Sequence, residues 1–354
     1  MKKKILAFIL ICLLTVAMFS TFVACNHQEY VSFGYYPQTH VTDSATIAAL
    51  TSAAGALPTA ENRGRWTSYG YYIAGSTATD YMWYIDLVQG DEKYRGVYFT
   101  WYRPKRTTFE TRLDQGVELN NSYQDENGYL AGTVYWFKYE PIKWRVLEES
   151  NGEALLFADR ILDSREYSYA PEGWPEREDV FGHNGGTGYA NNYALSDIRK
   201  WLNDTFYNTA FSAEEKQQIL LTTVDNSARS TNPNRDASEW EGGANANACA
   251  DTEDYVFLLS AQEVTNASYG FYKNPELDGS RSARCKKGTD YALSQGIDKY
   301  DIGADDTSAW WLRSADFLNN HCARYVTCTG YAEGREVVDT STCGVVPALR
   351  IKRS

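Results

Sequence analysis

The sequence has little of what metal, nucleotide or nucleic-acid chemistry requires. Its four histidines, His27, His40, His183 and His321, are scattered, with no HExxH or other paired-histidine spacing. None of its seven cysteines stands in a CxxC arrangement, which argues against a structural zinc site. The glycine-rich run Gly182-His183-Asn184-Gly185-Gly186 lacks both a preceding strand and a following Gly-Lys-Ser/Thr, so it reads as a loop and not as a phosphate cradle. Basic residues are scarce, with 34 Lys and Arg against 46 Asp and Glu. Such a chain repels phosphate backbones, and nucleic acid is excluded as a main partner. Strands and helices do not alternate regularly, which excludes a doubly wound parallel sheet, and no repeat of solenoid length appears.

The chain does have one long apolar run. Met1-Lys2-Lys3-Lys4 precedes an apolar stretch from Ile5 to Ala24, the layout of a secretory signal. It ends Phe22-Val23-Ala24-Cys25, which resembles the lipobox of bacterial lipoproteins, with Phe22 where Leu is usual. The expectation is a signal peptide over 1–24, a lipid on Cys25, a tether over 25–29 and a protein held on the outer face of the cytoplasmic membrane. An uncleaved membrane anchor is the alternative, because the run is close to the ~20 residues that span a bilayer. Loss of residues 1–24 removes Lys2, Lys3 and Lys4 and no acid, so the mature chain is more acidic still.

Aromatics are abundant, with 27 Tyr and 10 Trp, as expected of a folded chain. The patterning predicts strands at 30–38, ended by a turn at Pro37, then a short helix capped by Asp43 or Ser44, then an aromatic meander over 66–104. Ser150-Asn151-Gly152 predicts a tight hairpin between 142–149 and 154–158, because Asn-Gly tolerates positive φ at both central positions. Helices are expected after Ser196, after the capping box Ser212 to Glu215 (carrying Ile219 and Leu220), after the capping box Ser260 to Glu263, and from Thr289 to a stop at Gly296. A buried strand is expected at 255–259, and further strands at 309–313, 323–327, 336–338 and 345–351. The class is α+β with mostly antiparallel sheet, a few short helices and long loops.

Six stretches, Phe33-Gly-Tyr-Tyr-Pro-Gln38, Pro141-Ile-Lys-Trp-Arg-Val-Leu147, Tyr193-Ala-Leu-Ser-Asp-Ile-Arg-Lys-Trp-Leu202, Val256-Phe-Leu-Leu-Ser260, Trp310-Trp-Leu-Arg-Ser314 and Gly344-Val-Val-Pro-Ala-Leu349, together resemble the DUF6273 family. The resemblance covers residues 30–351, with about 42–130 as an insertion. It implies a fold similar to the C-type-lectin-like fold of formylglycine-generating enzymes and of receptor-binding proteins. The strand around Trp310 and the final strand would then be central to the core, with long loops on one face.

Under that resemblance the polar segment from Phe317 to Thr342 becomes the candidate binding face, with Trp311, Arg313, Asn319, Asn320, His321, Arg324, Tyr325 and Tyr331 as ligand-binding residues. Trp310, Trp311 and Arg313 also read as a plain core strand, with Arg313 paired internally. The expected function is a non-catalytic, surface-displayed module that recognises an extracellular glycan or protein ligand. The alternative is an oxidoreductase similar to formylglycine-generating enzymes, using Cys322, Cys328 or Cys343. Six strand residues would hold Cys322 and Cys328 about 20 Å apart, against the ~7 Å limit for bridged Cα atoms. Cys343 could pair with either, and Cys249 and Cys285 complete an odd set of five. His183 and His321 could act as acid or base, yet nothing marks a nucleophile beside them. No cofactor is implied. Structural calcium is conceivable at Asp301, Asp305 and Asp306 or at Asp251, Glu253 and Asp254, although both groups also read as solvated acidic loops.

Overall fold

The structure, a computed structural model, describes residues 29–59, 61–70, 82–100, 127–169, 189–233, 245–275, 283–297, 306–340 and 342–353. The expected signal and Cys25, the 182–186 loop with His183, and Asp301 and Asp305 lie outside these residues. Among the described residues, no helix is long and apolar enough to cross a membrane.

The chain begins with β1 (Tyr30–His40), followed by α1 (Ser44–Ala54), whose first turn is capped by the Asp43 carboxylate accepting from Thr46 N. Strands β2 (Thr67–Ser68), β3 (Met82–Gln89) and β4 (Glu92–Phe99) follow. The 17-residue strand β5 (Val134–Ser150) turns at Asn151-Gly152 into β6 (Glu153–Ala158) and then β7 (Asp163–Ser164). A helix runs over 197–210, α-helical at Asp197–Trp201, π-helical at Leu202–Phe206 and α-helical again at Tyr207–Ala210. One turn of helix, Ala213–Lys216, has the complete Ser212–Glu215 capping box. Then come β8 (Ile219–Leu220), β9 (Thr222–Val224), β10 (Thr252–Asp254) and β11 (Lys286–Lys287). The helix Asp290–Ser294, capped by Thr289, leads to β12 (Thr307–Ser308) and β13 (Trp310–Ala315). The last strands are β14 (Cys322–Val326), β15 (Gly334–Val337), β16 (Gly344–Val345) and β17 (Ala348–Lys352).

Strand β5 organises the larger sheet. One of its edges carries β1, from Tyr30 opposite Arg145 to His40 opposite Phe137. The other edge is shared, with β4 against residues 134–138 and β6 against 144–150. The sheet therefore branches, into β2-β3-β4 at one end of β5 and β6-β17-β8 at the other. The second sheet has the order β15-β14-β13-β16-β7. Pairing is mostly antiparallel, as the α+β class predicts, with β13 and β16 parallel. The final segment joins the sheets. Its β16 part lies in the second and its β17 part in the first, and the break falls at Val346-Pro347, where proline has no N–H to offer a ladder.

Two apolar clusters follow from this branching. The larger joins both sheets through Trp144, Phe157, Leu258, Trp310, Trp311, Leu349 and their neighbours. The smaller holds Leu50 and Ala54 of α1 against Trp66, Trp83, Ile85, Leu87 and Trp136, on the far face of the β3-β4 ribbon. Segment 42–130 thus packs a small tryptophan cluster against Trp136 of β5.

Four local expectations change. Pro37 does not end β1, which continues to His40 with a register shift between Pro37 and Thr39. A proline tolerates this because the irregularity leaves no ladder bond that its missing N–H must make. Ile219 and Leu220 are strand, not helix, because pairing with Ile351 and Arg350 of β17 overrides helical spacing. Residues 256–259 are buried as expected and Tyr255 is half-buried, but within the segment only Phe257 makes a β-bridge, to Ala348. The second capping box, with Ser260 N donating to Glu263 and Glu263 N to Ser260 Oγ, starts just a short 3₁₀ turn.

Candidate functional site

The turn between β13 and β14, residues 316–322, has the geometry of a presented surface. It is closed by Asp316 N donating to Cys322 O at 3.1 Å and Cys322 N to Asn319 O at 3.2 Å. The Asp316 carboxylate folds the turn from inside, accepting from Leu318 N at 3.0 Å and Asn319 N at 2.9 Å. Three buried asparagines from distant segments then fix it. Asn191 Nδ2 faces the carbonyls of Asp316, Asn319 and Cys322 at 3.2, 3.0 and 2.9 Å. Asn247 Nδ2 donates to Asp316 O at 2.7 Å, and Asn245 Nδ2 to Ala315 O at 3.1 Å. An amide suits this task because it donates to carbonyls without bringing a charge into the interior.

What the clamped turn presents is apolar. Phe317 is 52% and Leu318 67% exposed, with the Arg324 guanidinium 5.7 Å from the Phe317 ring centre. Val337, also exposed, is paired with Cys322 at the foot of the turn.

The sequence-predicted binding residues divide into three groups. Asn319, Asn320 and His321 are on the turn and reach the surface. Trp311, Arg313 and Arg324 are buried, which corrects their placement on a binding face. Trp311 donates its indole N–H to Arg165 O at 2.9 Å. Arg313 bonds Leu258 O, the Asp225 carbonyl and Glu263, so its guanidinium is spent internally. Tyr325 and Tyr331 are half-buried and lie away from the turn. Tyr331 follows the far end of the five-residue strand β14, about 16 Å along at strand rise. Burial pushes the Tyr325 phenol up to about 12. Phe317, Leu318 and the asparagine clamp are the residues sequence reasoning missed. The visible signal was the close spacing Asn191-Asn192 and Asn245-Ala-Asn247.

None of Cys249, Cys285, Cys322, Cys328 and Cys343 forms a disulfide. Cys343 precedes Gly344, which pairs with Trp310, which pairs in turn with Val326. Two strand spacings, roughly 10 Å, separate Cys343 from the β14 side, too far for a bridge. Burial, with Asp316 nearby, pushes the Cys322 thiol up to about 11, which disfavours the reactive thiolate.

The acidic residues are engaged as well. Asp251 accepts from Asn226 N, Glu253 from Thr223, and Asp254 from Arg199 at 2.7 Å. No group of three His, Cys, Asp or Glu that could hold a metal occurs among the described residues. Asp86 is bonded by Arg95 at 2.8 and 2.9 Å and by Tyr139 at 2.8 Å. Burial pushes its pKa upward, but Arg95, Lys93 and Tyr139 outweigh it and hold the carboxyl below its ordinary value. Asp163 accepts from Tyr36 OH at 2.6 Å deep in the core, where burial raises its pKa. Both groups have their partners within the fold.

No curated protein and no solved structure matches this chain. The family described as "Domain of unknown function (DUF6273)" matches residues 151–353, more than half of the sequence. The match takes in the 316–322 turn and every asparagine of its clamp, while β1 to β5 precede it. The chain belongs to the DUF6273 family.

Proposed function

We propose that this protein is a non-catalytic binding module with a C-type-lectin-like chain path. A lipid on Cys25 tethers it outside the cytoplasmic membrane, and the 316–322 turn engages an extracellular glycan or protein ligand. One observation carries the reading: two large apolar side chains, Phe317 and Leu318, are exposed on a turn whose backbone is held by three buried asparagines. Exposed apolar groups on a pre-ordered scaffold bind cheaply, because little conformational entropy remains to be lost. Asn319, Asn320 and His321 supply hydrogen-bonding groups at the rim. The tether rests on the basic, apolar and small-residue pattern ending at Cys25.

Soluble residues 26–354, applied to glycan and protein arrays with and without Ca²⁺, test the reading. Binding that the double substitution Phe317→Ala, Leu318→Ala abolishes is the expected result. A folded double variant that keeps full binding, to whatever ligand is found, sinks the assignment of the turn. For the tether, Cys25→Ala should release the protein from membranes. Unchanged membrane retention of that variant argues for an uncleaved anchor instead.

A further inference from the structure

Behind the clamped turn is a small cavity of about 10 Å³, lined by Asn226, Ser230, Thr231, Cys249, Arg313 and Ser314 among others. That is the lower end of the roughly 10–15 Å³ a single water needs. Asn226 is 4% exposed. Its Nδ2 donates to Ala250 O at 3.1 Å and to Thr252 Oγ1 at 3.2 Å, yet its Oδ1, also buried, meets no donor among the described residues. Turning the amide over does not cure this. The oxygen would then face the Ala250 carbonyl, and Thr252 Oγ1 already donates its proton to Asp254 at 2.7 Å. The orientation is therefore fixed, and a strong acceptor is left facing whatever fills the space beside it.

We infer that this cavity is a binding site for one ordered water, which donates a hydrogen bond to Asn226 Oδ1. The occupant must donate, which excludes anions and apolar guests. It must also tolerate the buried Arg313 guanidinium in the same lining, which excludes a cation. Water meets both conditions and the size. Its place in the molecule gives it a part in positioning. Thr231 and Ala315 line the cavity, and Asn245 Nδ2 bonds both Thr231 Oγ1 and Ala315 O. The water thus extends the asparagine clamp, joining the 226–231 loop to the floor of the turn, whatever the turn itself binds.

High-resolution crystal structures of the mature chain and of Asn226→Leu, which keeps the side chain's shape, test the inference. Expected is one fully occupied water in the native cavity, within hydrogen-bond distance of Asn226 Oδ1, and none in the variant. A dry native cavity overturns the inference, as does an Asn226 oxygen paired with a protein donor or a water that stays in place in Asn226→Leu. If the variant does not fold, the native structure alone decides between a filled and a dry cavity, and water-to-amide magnetisation transfer around residue 226 provides the same readout in solution.

Discussion

Two turns in this molecule are held in different ways. The β5–β6 hairpin carries its shape within itself, with Asn151 at φ 54° and Gly152 at φ 76°, a conformation that a two-residue turn between twisted strands requires. The β13–β14 turn has local bonds to the Asp316 carboxylate, but it is also held from outside, by Asn191, Asn245 and Asn247, which lie 69 to 131 residues away in sequence from the carbonyls they hold. A self-made turn survives loss of its neighbours and bends when its own residues change. A turn held from outside depends on those distant partners as well, and its exposed Phe317 and Leu318 side chains take no part in the hydrogen bonds that close it.

The largest expected effect is on the turn held from outside. Asn191→Ala leaves three backbone carbonyls without their common donor in a buried setting, at a cost of roughly 3 kcal/mol. Denaturant unfolding should show that loss, and amide exchange of 317–321 should speed up while 151–154 stays protected. If both turns lose protection equally, the asparagine supports the whole fold rather than the turn.

A second carbonyl clamp adds a contrast in charge. Lys286 Nζ donates to Ala158 O at 3.0 Å and Asp159 O at 3.2 Å, at the end of β6, over the Phe157 ring. Burial, with Arg145 and Lys143 nearby and only partly offset by Asp159, pushes its pKa from 10.5 down to about 7. Between those values the unfolded chain holds a proton that the folded chain does not. Stability from this group is therefore full above about pH 10.5 and falls as pH drops towards 7, by roughly 1.4 kcal/mol per pH unit. Comparing Lys286→Met with the native protein in urea melts from pH 7.5 to 9 should reveal a native slope, worth roughly 2 kcal/mol over that range, that the variant lacks. The asparagine clamp does not titrate, and Asn191→Ala should leave that slope intact.

The self-made hairpin should be less sensitive. Gly152→Ala places a side chain at φ 76° and costs about 1 kcal/mol, visible as a lower unfolding midpoint with 316–322 protection unchanged. Gly34 makes a useful control of a different kind. It too has positive φ, but an added Cβ would sit 2.8 Å from Ala210 O and 2.6 Å from the Phe211 ring, so tertiary clash adds to the strain.

The same contrast explains what could be read in the sequence. Asn151-Gly152, the Ser212–Glu215 box and the Thr289 cap act within a few residues, and each was legible. That 309–313 is a strand was legible too, but not that Trp311 is buried as fully as Trp310. Fixed by partners far along the chain are the switch of 344–352 between sheets, the strand pairing of Ile219 and the asparagine clamp, and no local pattern records those partners. For the same reason Arg313 reads as a binding-face residue, since a cation in a polar-looking stretch gives no sign that the buried carbonyls of Leu258 and Asp225 wait for it elsewhere.

The smallest effect on stability should come where the largest effect on function is expected. Leu318 is two-thirds exposed, and Phe317 half. Neither side chain takes part in the hydrogen bonds that close the turn, which run through the backbone and through Asp316. Truncating a side chain that is already in water should change stability by no more than about 0.5 kcal/mol. Calorimetry of Leu318→Ala and Phe317→Ala should therefore show midpoints close to native, with Phe317→Ala the lower because it also loses its contact with Arg324. Loss of ligand binding by these two stable variants would separate the displayed residues from the clamp beneath them. If either unfolds as readily as Asn191→Ala, its side chain is holding the turn after all, and the exposed pair must be counted as structure rather than as a surface kept for a partner.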